Sequence, residues 1–157
     1  MLLFWTPLIA ASLHIVEEFG VPGGFMKWYR RVRPEIASSI TPRFLLIMNL
    51  LLLILCYDVG AMATKSYGPL LWLGIAALLA ANGVWHVVWS IRTKSYSPGL
   101  VTGILLYIPM AIYGGIRFIG SGLASPGMAA LAMAAGASYQ LWANMLHRAR
   151  TVGKAAA

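Results

Sequence analysis

Acidic side chains are scarce: Glu17, Glu18, Glu35 and Asp58 face twelve Lys and Arg in 157 residues. Charged residues of both signs make up 10% of the chain and apolar ones 60%, whereas a soluble domain carries about 25% charge. So few charges cannot clothe a water-facing surface, and a mean hydropathy of +0.76 places the chain in a bilayer. Cysteine is nearly absent. Cys56 stands alone in an apolar run, which excludes an intramolecular disulfide framework and a cysteine-rich metal site and leaves it as a small core residue. Internal repeats and low-complexity linkers are also missing. The length is that of one domain, which a handful of spans of about 20 residues each would fill.

What is present is long apolar sequence. Five stretches predict an all-α, polytopic transmembrane bundle: Leu2 to Phe19, Phe44 to Ala63, Pro69 to Ile91, Leu100 to Ile119 and Gly127 to Leu146. The breaks carry helix-stopping residues, with Pro22, Gly23, Gly24 and Pro34 in the first, Ser66 to Pro69 in the second, Ser95 to Gly99 in the third and Gly120 to Gly127 in the fourth. The opening stretch with Ala10 and Ala11 resembles a cleavable leader but lacks a basic n-region. The polar cluster directly after it marks a retained helix.

The basic residues sort by loop. Lys27, Arg30, Arg31, Arg33 and Arg43 lie in the first connection, Arg92 and Lys94 in the third, and Arg148, Arg150 and Lys154 after the last span, leaving only Lys65 and Arg117 for the other side. Basic loops stay cytoplasmic, so the expected topology has the N-terminus outside and the C-terminus in the cytoplasm of a bacterial inner membrane. The competing arrangement has four spans and a re-entrant or interfacial first helix. Because the net charge of +8 sits in short loops, it reports orientation and anionic lipid headgroups rather than a nucleic-acid partner. Lys27, Arg30, Arg31 and Arg33, with Trp28 and Tyr29 among them, are the candidate headgroup contacts.

Polar residues inside the spans are few and patterned. His14, Glu17 and Glu18 are spaced i, i+3, i+4 and project from one helical face. Asn82 and His86 repeat a four-residue spacing on the third span, and Gln140, Asn144 and His147 follow on the fifth. With antiparallel spans, these residues, Asn49 and Thr102 fall at one depth, in the inner leaflet. Ionisable groups in a membrane cost roughly 2.5–3.5 kcal/mol each on insertion scales and persist when paired or functional. Adjacent carboxylates either share a proton or attract a cation. A divalent metal of the zinc, iron or manganese kind is therefore expected on His14, Glu18 and His86, with Glu17 and Asn82 as catalytic groups and Asn49, Trp85, Trp89, Thr102, Asn144 and His147 around them. Plainer readings stand beside this one. Glu17 and Glu18 can pair with Arg30, Arg31 or Arg33 at headgroup level, Asn49 and Asn82 can be interhelical glue, and His147 can be an interfacial histidine beside Arg148.

The run His14-Ile15-Val16-Glu17-Glu18, a Gly/Pro-rich turn, Asn82 and His86 on a later helix, and Tyr96-Ser97-Pro98-Gly99 before the next together resemble the HXXEE-domain family of small bacterial membrane proteins. That resemblance covers most of the chain. The family has no established activity, so the likeness implies that the triplet matters without naming a chemistry. The chain is also faintly similar to intramembrane glutamate proteases of the CAAX-processing type, in which paired glutamates, His and Asn activate water. It departs from them in having no Arg after Glu18 at that family's spacing and no second histidine motif. The leading expectation is a metal-dependent hydrolase or oxidoreductase acting on a lipid or prenyl-type substrate. The alternatives are a non-catalytic subunit or assembly factor of a larger membrane complex and, third, a proton-coupled carrier that would need to form a homo-oligomer.

Overall fold

The computed structural model describes residues 1–20 and 24–155, with side chains through Thr151. Pro22 and Gly23 of the expected first turn, the side chain of Lys154 and the end of the tail lie outside the described residues. Every regular element among the described residues is helical: α1 (Thr6–Gly20), α2 (Gly24–Val32), α3 (Pro42–Ala61), α4 (Gly68–Thr93), α5 (Leu100–Gly120), α6 (Pro126–Ala137) and α7 (Tyr139–Ala155). A 3-10 turn at Leu2–Trp5 extends α1 backwards, and another, Pro34–Ser39, links α2 to α3.

Local chemistry sets these boundaries. Pro42, Pro69 and Pro126 occupy first-turn positions, where a missing N–H costs nothing. Thr41 caps α3 by accepting from the Phe44 N–H, and Ser125 caps α6 by accepting from Met128. α4 is the central helix: Trp72, Leu73, Ala76, Leu79, Gly83 and His86 are buried along it. At the end holding Lys65, Trp72 donates to the Leu3 carbonyl at 2.9 Å and packs its ring against Phe118. Outward faces are apolar too, with Leu46, Leu50 and Ile54 on α3 and Ile112 and Ile116 on α5 exposed. That is the surface a helix shows to hydrocarbon.

Four helical stretches among the described residues are long and apolar enough to cross a membrane: Leu2–Gly20, Pro42–Ala61, Gly68–Thr93 and Leu100–Gly120. The first expected span is thus among them, and the fifth is the one that changes. Its sequence divides at Ser138 into α6, of 12 residues, and α7. At 1.5 Å per residue α6 is about 18 Å long, short of the roughly 30 Å hydrocarbon core. The division has a physical reason. α6 is an Ala- and Gly-rich helix lying along α4, with Ala129 buried in the cluster of Trp72, Leu73 and Ala76. α7 carries Asn144, His147 and Arg150, which find partners at Arg33 and the Pro34–Ser39 turn: His147 meets Ser39, Arg33 donates to Asn144, and Arg150 reaches the Ser39 carbonyl.

Those contacts bring the C-terminal cations Arg148 and Arg150 to the bundle end that already holds the 27–43 connection. The ends of α1 and α4 and the start of α5 meet there as well, through Glu17 and the 96–102 segment. The polar residues gather at this basic end.

Candidate metal centre

α5 begins in an unusual way. A helix leaves its first N–H groups without intrahelical partners, and here Glu17 of α1 supplies them from outside. Its Oε1 accepts from the Gly99 and Val101 N–H groups, both at 3.0 Å, and its Oε2 from the Thr102 N–H at 2.7 Å and hydroxyl at 2.6 Å. The Tyr96 phenol also donates to Oε1. Burial and this hydrogen bond to Glu17 push the Tyr96 pKa up to about 12, so the phenol stays a donor. One carboxylate thus accepts five hydrogen bonds at a helix N-terminus, where the dipole favours it.

This clamp fixes the proton on His14. Thr102 has one hydroxyl proton and gives it to Glu17, so its oxygen accepts from His14 Nδ1–H at 2.7 Å. In the neutral imidazole His14 Nε2 then carries the lone pair. It points at Glu18 Oε1, 3.4 Å away, and from the other side His86 Nε2 stands 3.4 Å from the same oxygen. His86 in turn meets Ser97 Oγ through Nδ1 at 2.7 Å, a partner that can accept from Nδ1–H and leave Nε2 free to ligate.

All three side chains are buried: His86 is 0% exposed, His14 3% and Glu18 6%. Neither His14 Nε2 nor His86 Nε2 has a hydrogen-bond partner, although a buried polar atom left unpaired costs about 1–3 kcal/mol. The three ligand atoms lie within 4.8 Å of one another. Neighbouring corners of a tetrahedral site with bonds of about 2.1 Å lie about 3.4 Å apart, which matches both His-to-Glu separations. Two imidazoles and one carboxylate on a common centre form a donor set that suits zinc or a non-haem metal.

Aromatic rings hold the imidazoles in place. Tyr107 lies against His14 at 4.6 Å between centroids, and Trp85 meets His86 edge-on at 5.1 Å. Gly99 makes the approach possible. Its φ is +99°, and a Cβ there would sit 2.6 Å from His14 Cε1 and 2.9 Å from His86 Cε1. Just beyond it, the Gly83 and Gly103 backbones touch where α4 crosses α5, and a π turn at Gly103–Tyr107 aims Tyr107 inward.

A cavity of about 250 Å³ adjoins the cluster between α3, α4 and α7. His14 and Glu18 stand in its wall with Asn82, Asn49 and Trp85. The Asn82 Oδ1 and the Tyr107 hydroxyl are buried without partners.

The other expected site residues separate from this centre. Thr102 joins it through His14, but His147 gives Nδ1 to Ser39, and Asn144 receives Arg33. Trp89 lies under the Arg33 and Arg92 guanidinium groups. Arg30 is bound to the Ile40 carbonyl and Arg33 to Glu35, while Lys27 and Arg31 are exposed. Glu17 therefore binds the 96–102 segment and not these arginines. Burial, then Arg150 and Arg33, hold the His147 pKa down to about 4. Ser97, Tyr96, Gly99 and Tyr107 were not singled out individually from sequence. The spacing of Tyr96-Ser97-Pro98-Gly99 identified a turn but not what the turn would touch.

The sequence profile described as "Protein of unknown function with HXXEE motif" matches residues 5–114. The match contains the cluster and its partners, whereas α6 and α7 follow it. No curated protein and no solved structure matches the chain.

Proposed function

The chain belongs to the HXXEE family, and we propose that it is a metal-dependent membrane enzyme in which His14, Glu18 and His86 hold one divalent cation of the zinc, iron or manganese kind. The observation that carries this reading is the pair of buried, unpartnered Nε2 atoms converging on one carboxylate oxygen. Lone pairs and an anionic oxygen facing one another in a buried site repel, and a cation among them turns that repulsion into bonding. Three protein ligands leave coordination open, as catalytic sites do and closed structural sites do not. A cation so held supplies a polarised water or oxygen ligand near neutral pH.

The residues around it divide the work. Glu17, with its accepting capacity filled by five donors, acts as a positioning residue: through Thr102 it fixes the His14 tautomer. That role replaces the catalytic one expected of it; activation of a water would then come from a cation held by His14, Glu18 and His86. Ser97 can accept from His86 Nδ1–H as Thr102 accepts from His14. Asn82 faces the cavity and offers an amide to a bound substrate. The crowding of cations at this end of the bundle supports a cytoplasmic placement for it, which puts the centre in the inner leaflet and the N-terminus outside. The adjoining cavity, walled mostly by aliphatic and aromatic side chains, suits a lipophilic substrate.

The test is elemental analysis of purified wild-type protein beside His14→Ala and Glu18→Gln. Near-stoichiometric metal in the wild type, lost in both variants, is the expected result and identifies the element. Wild-type protein that carries no metal and takes up none on addition of zinc, ferrous iron or manganese overturns the reading in favour of a subunit or proton-carrier role.

A further inference from the structure

The cavity beside the cluster has the polarity gradient of a lipid. Along α4 its wall changes from Leu78 and Leu79 to Asn82 and Trp85, and on α3 Asn49 stands between Leu51 and Leu55 on one side and Phe44, Leu45 and Met48 on the other. Because the helices are antiparallel, Leu51 and Leu55 lie on the same side of the Asn49 and Asn82 band as Leu78 and Leu79. The polar end lies at His14 and Glu18, and the apolar end lies toward the middle of the spans. Leu51 and Leu55 are 50% and 44% exposed, so that wall borders the surrounding hydrocarbon.

Two features restrict what fits. The volume of about 250 Å³ is below the roughly 300–1,000 Å³ of pockets that enclose a drug-sized ligand, enough for one chain but not for a two-chain glycerolipid. Among the described residues, no Lys or Arg lines the cavity. A phosphate head asks for several cationic donors; Arg30 and Arg33 are bound at the turn between α2 and α3, and Arg150, whose Nε alone lacks a partner, lies over Phe44 and reaches the Ser39 carbonyl. The polar end instead offers the Asn82 amide, with an unpartnered oxygen, and the unpartnered Tyr107 hydroxyl. Each can exchange a hydrogen bond with a neutral head.

From this we infer that the site takes a single-chain lipophile with a small, non-phosphorylated head, a hydroxyl or carbonyl, held by Asn82 next to the metal ligands with its chain toward the bilayer midplane. The inference rests on the enzyme reading for its biological meaning but not for its test.

The probes are a twelve-carbon primary alcohol carrying a mid-chain diazirine and the monophosphate ester of the same alcohol, photolysed with the full chain in lipid nanodiscs and mapped by mass spectrometry. Adducts from the alcohol are expected on the α3 and α4 walls at five or more times the yield from the phosphate. Asn82→Leu should cut that yield at least threefold. Leu51→Trp, a change on a half-exposed wall that narrows the cavity without touching the polar end, should do the same. Equal or stronger labelling by the phosphate, or alcohol adducts scattered over outward residues such as Ile54 and unchanged in both variants, would overturn the inference. Metal content measured on the same samples separates the two readings: cavity labelling without metal removes the metal proposal alone, and metal without cavity labelling removes this one alone.

Discussion

Two histidine environments occupy the same end of this bundle, and they are built on opposite principles. His147 docks α7: its Nδ1 meets Ser39, and its neighbours Asn144 and Arg150 reach Arg33 and the Ser39 carbonyl. Apart from the Arg150 Nε, which is buried without a partner, these polar groups bond to one another, which is what interhelical hydrogen bonds do in membrane bundles. Around His14 and His86 the matching is displaced by one shell. Thr102 and Ser97 satisfy the Nδ1 atoms, Glu17 satisfies Thr102, and the two Nε2 atoms that this orients are left with only the Glu18 oxygen between them. A burial count would rank the two places alike. The direction in which the satisfied hydrogen bonds point tells a joint from a site.

The sharpest test of that contrast is metal content after removing each histidine. His86→Ala should abolish binding, whereas His147→Ala should leave stoichiometry unchanged in the same elemental analysis; loss in both would merge the two environments into one. Next comes the displaced shell. Thr102→Val removes the acceptor for His14 Nδ1–H and should weaken metal affinity about 10–100-fold, while Thr102→Ser retains it, measured by competition with a chelating dye. Equal affinities for Val and Ser would show that the hydroxyl does not set the tautomer.

The joint should respond to pH instead. The His147 pKa is held down to about 4 by burial, Arg150 and Arg33, below the ordinary 6.5, so the folded state favours the neutral ring. Its contribution is therefore complete above about pH 6.5 and is lost as pH falls toward 4. Hydrogen exchange in α7 should rise across the same window, and His147→Phe should flatten the profile. The smallest effect is expected from Arg33→Lys, which gives up the planar contact with Trp89 at 5.0 Å and the fork to Glu35 and Asn144. It should cost about 0.5–1 kcal/mol in thermal unfolding and leave metal content unchanged.

Composition alone determined the helical membrane class, because a chain with 10% charge cannot solvate a surface. Helical periodicity put His14 and Glu18 on one face, since i, i+4 spacing depends only on the 3.6-residue repeat. Alternation of spans then brought His86 and Thr102 to their depth. Depth is a coarse coordinate, however. It placed Asn144 and His147 in the same layer and could not say that α7 would turn them toward Ser39 and Arg33. It separated Glu18 as a ligand from Glu17 as a catalytic group but could not say that Glu17, pointing about 100° from its neighbour, would cap α5 while Glu18 faces two imidazoles. The division of the last apolar stretch at Ser138 was likewise invisible to hydropathy, since α6 is as apolar as a span and only its packing along α4 and the partners awaiting α7 decide where it ends. What a residue is and which way it faces are local properties written in the sequence. What it meets depends on how helices distant in the chain cross, and only the tertiary structure decides that.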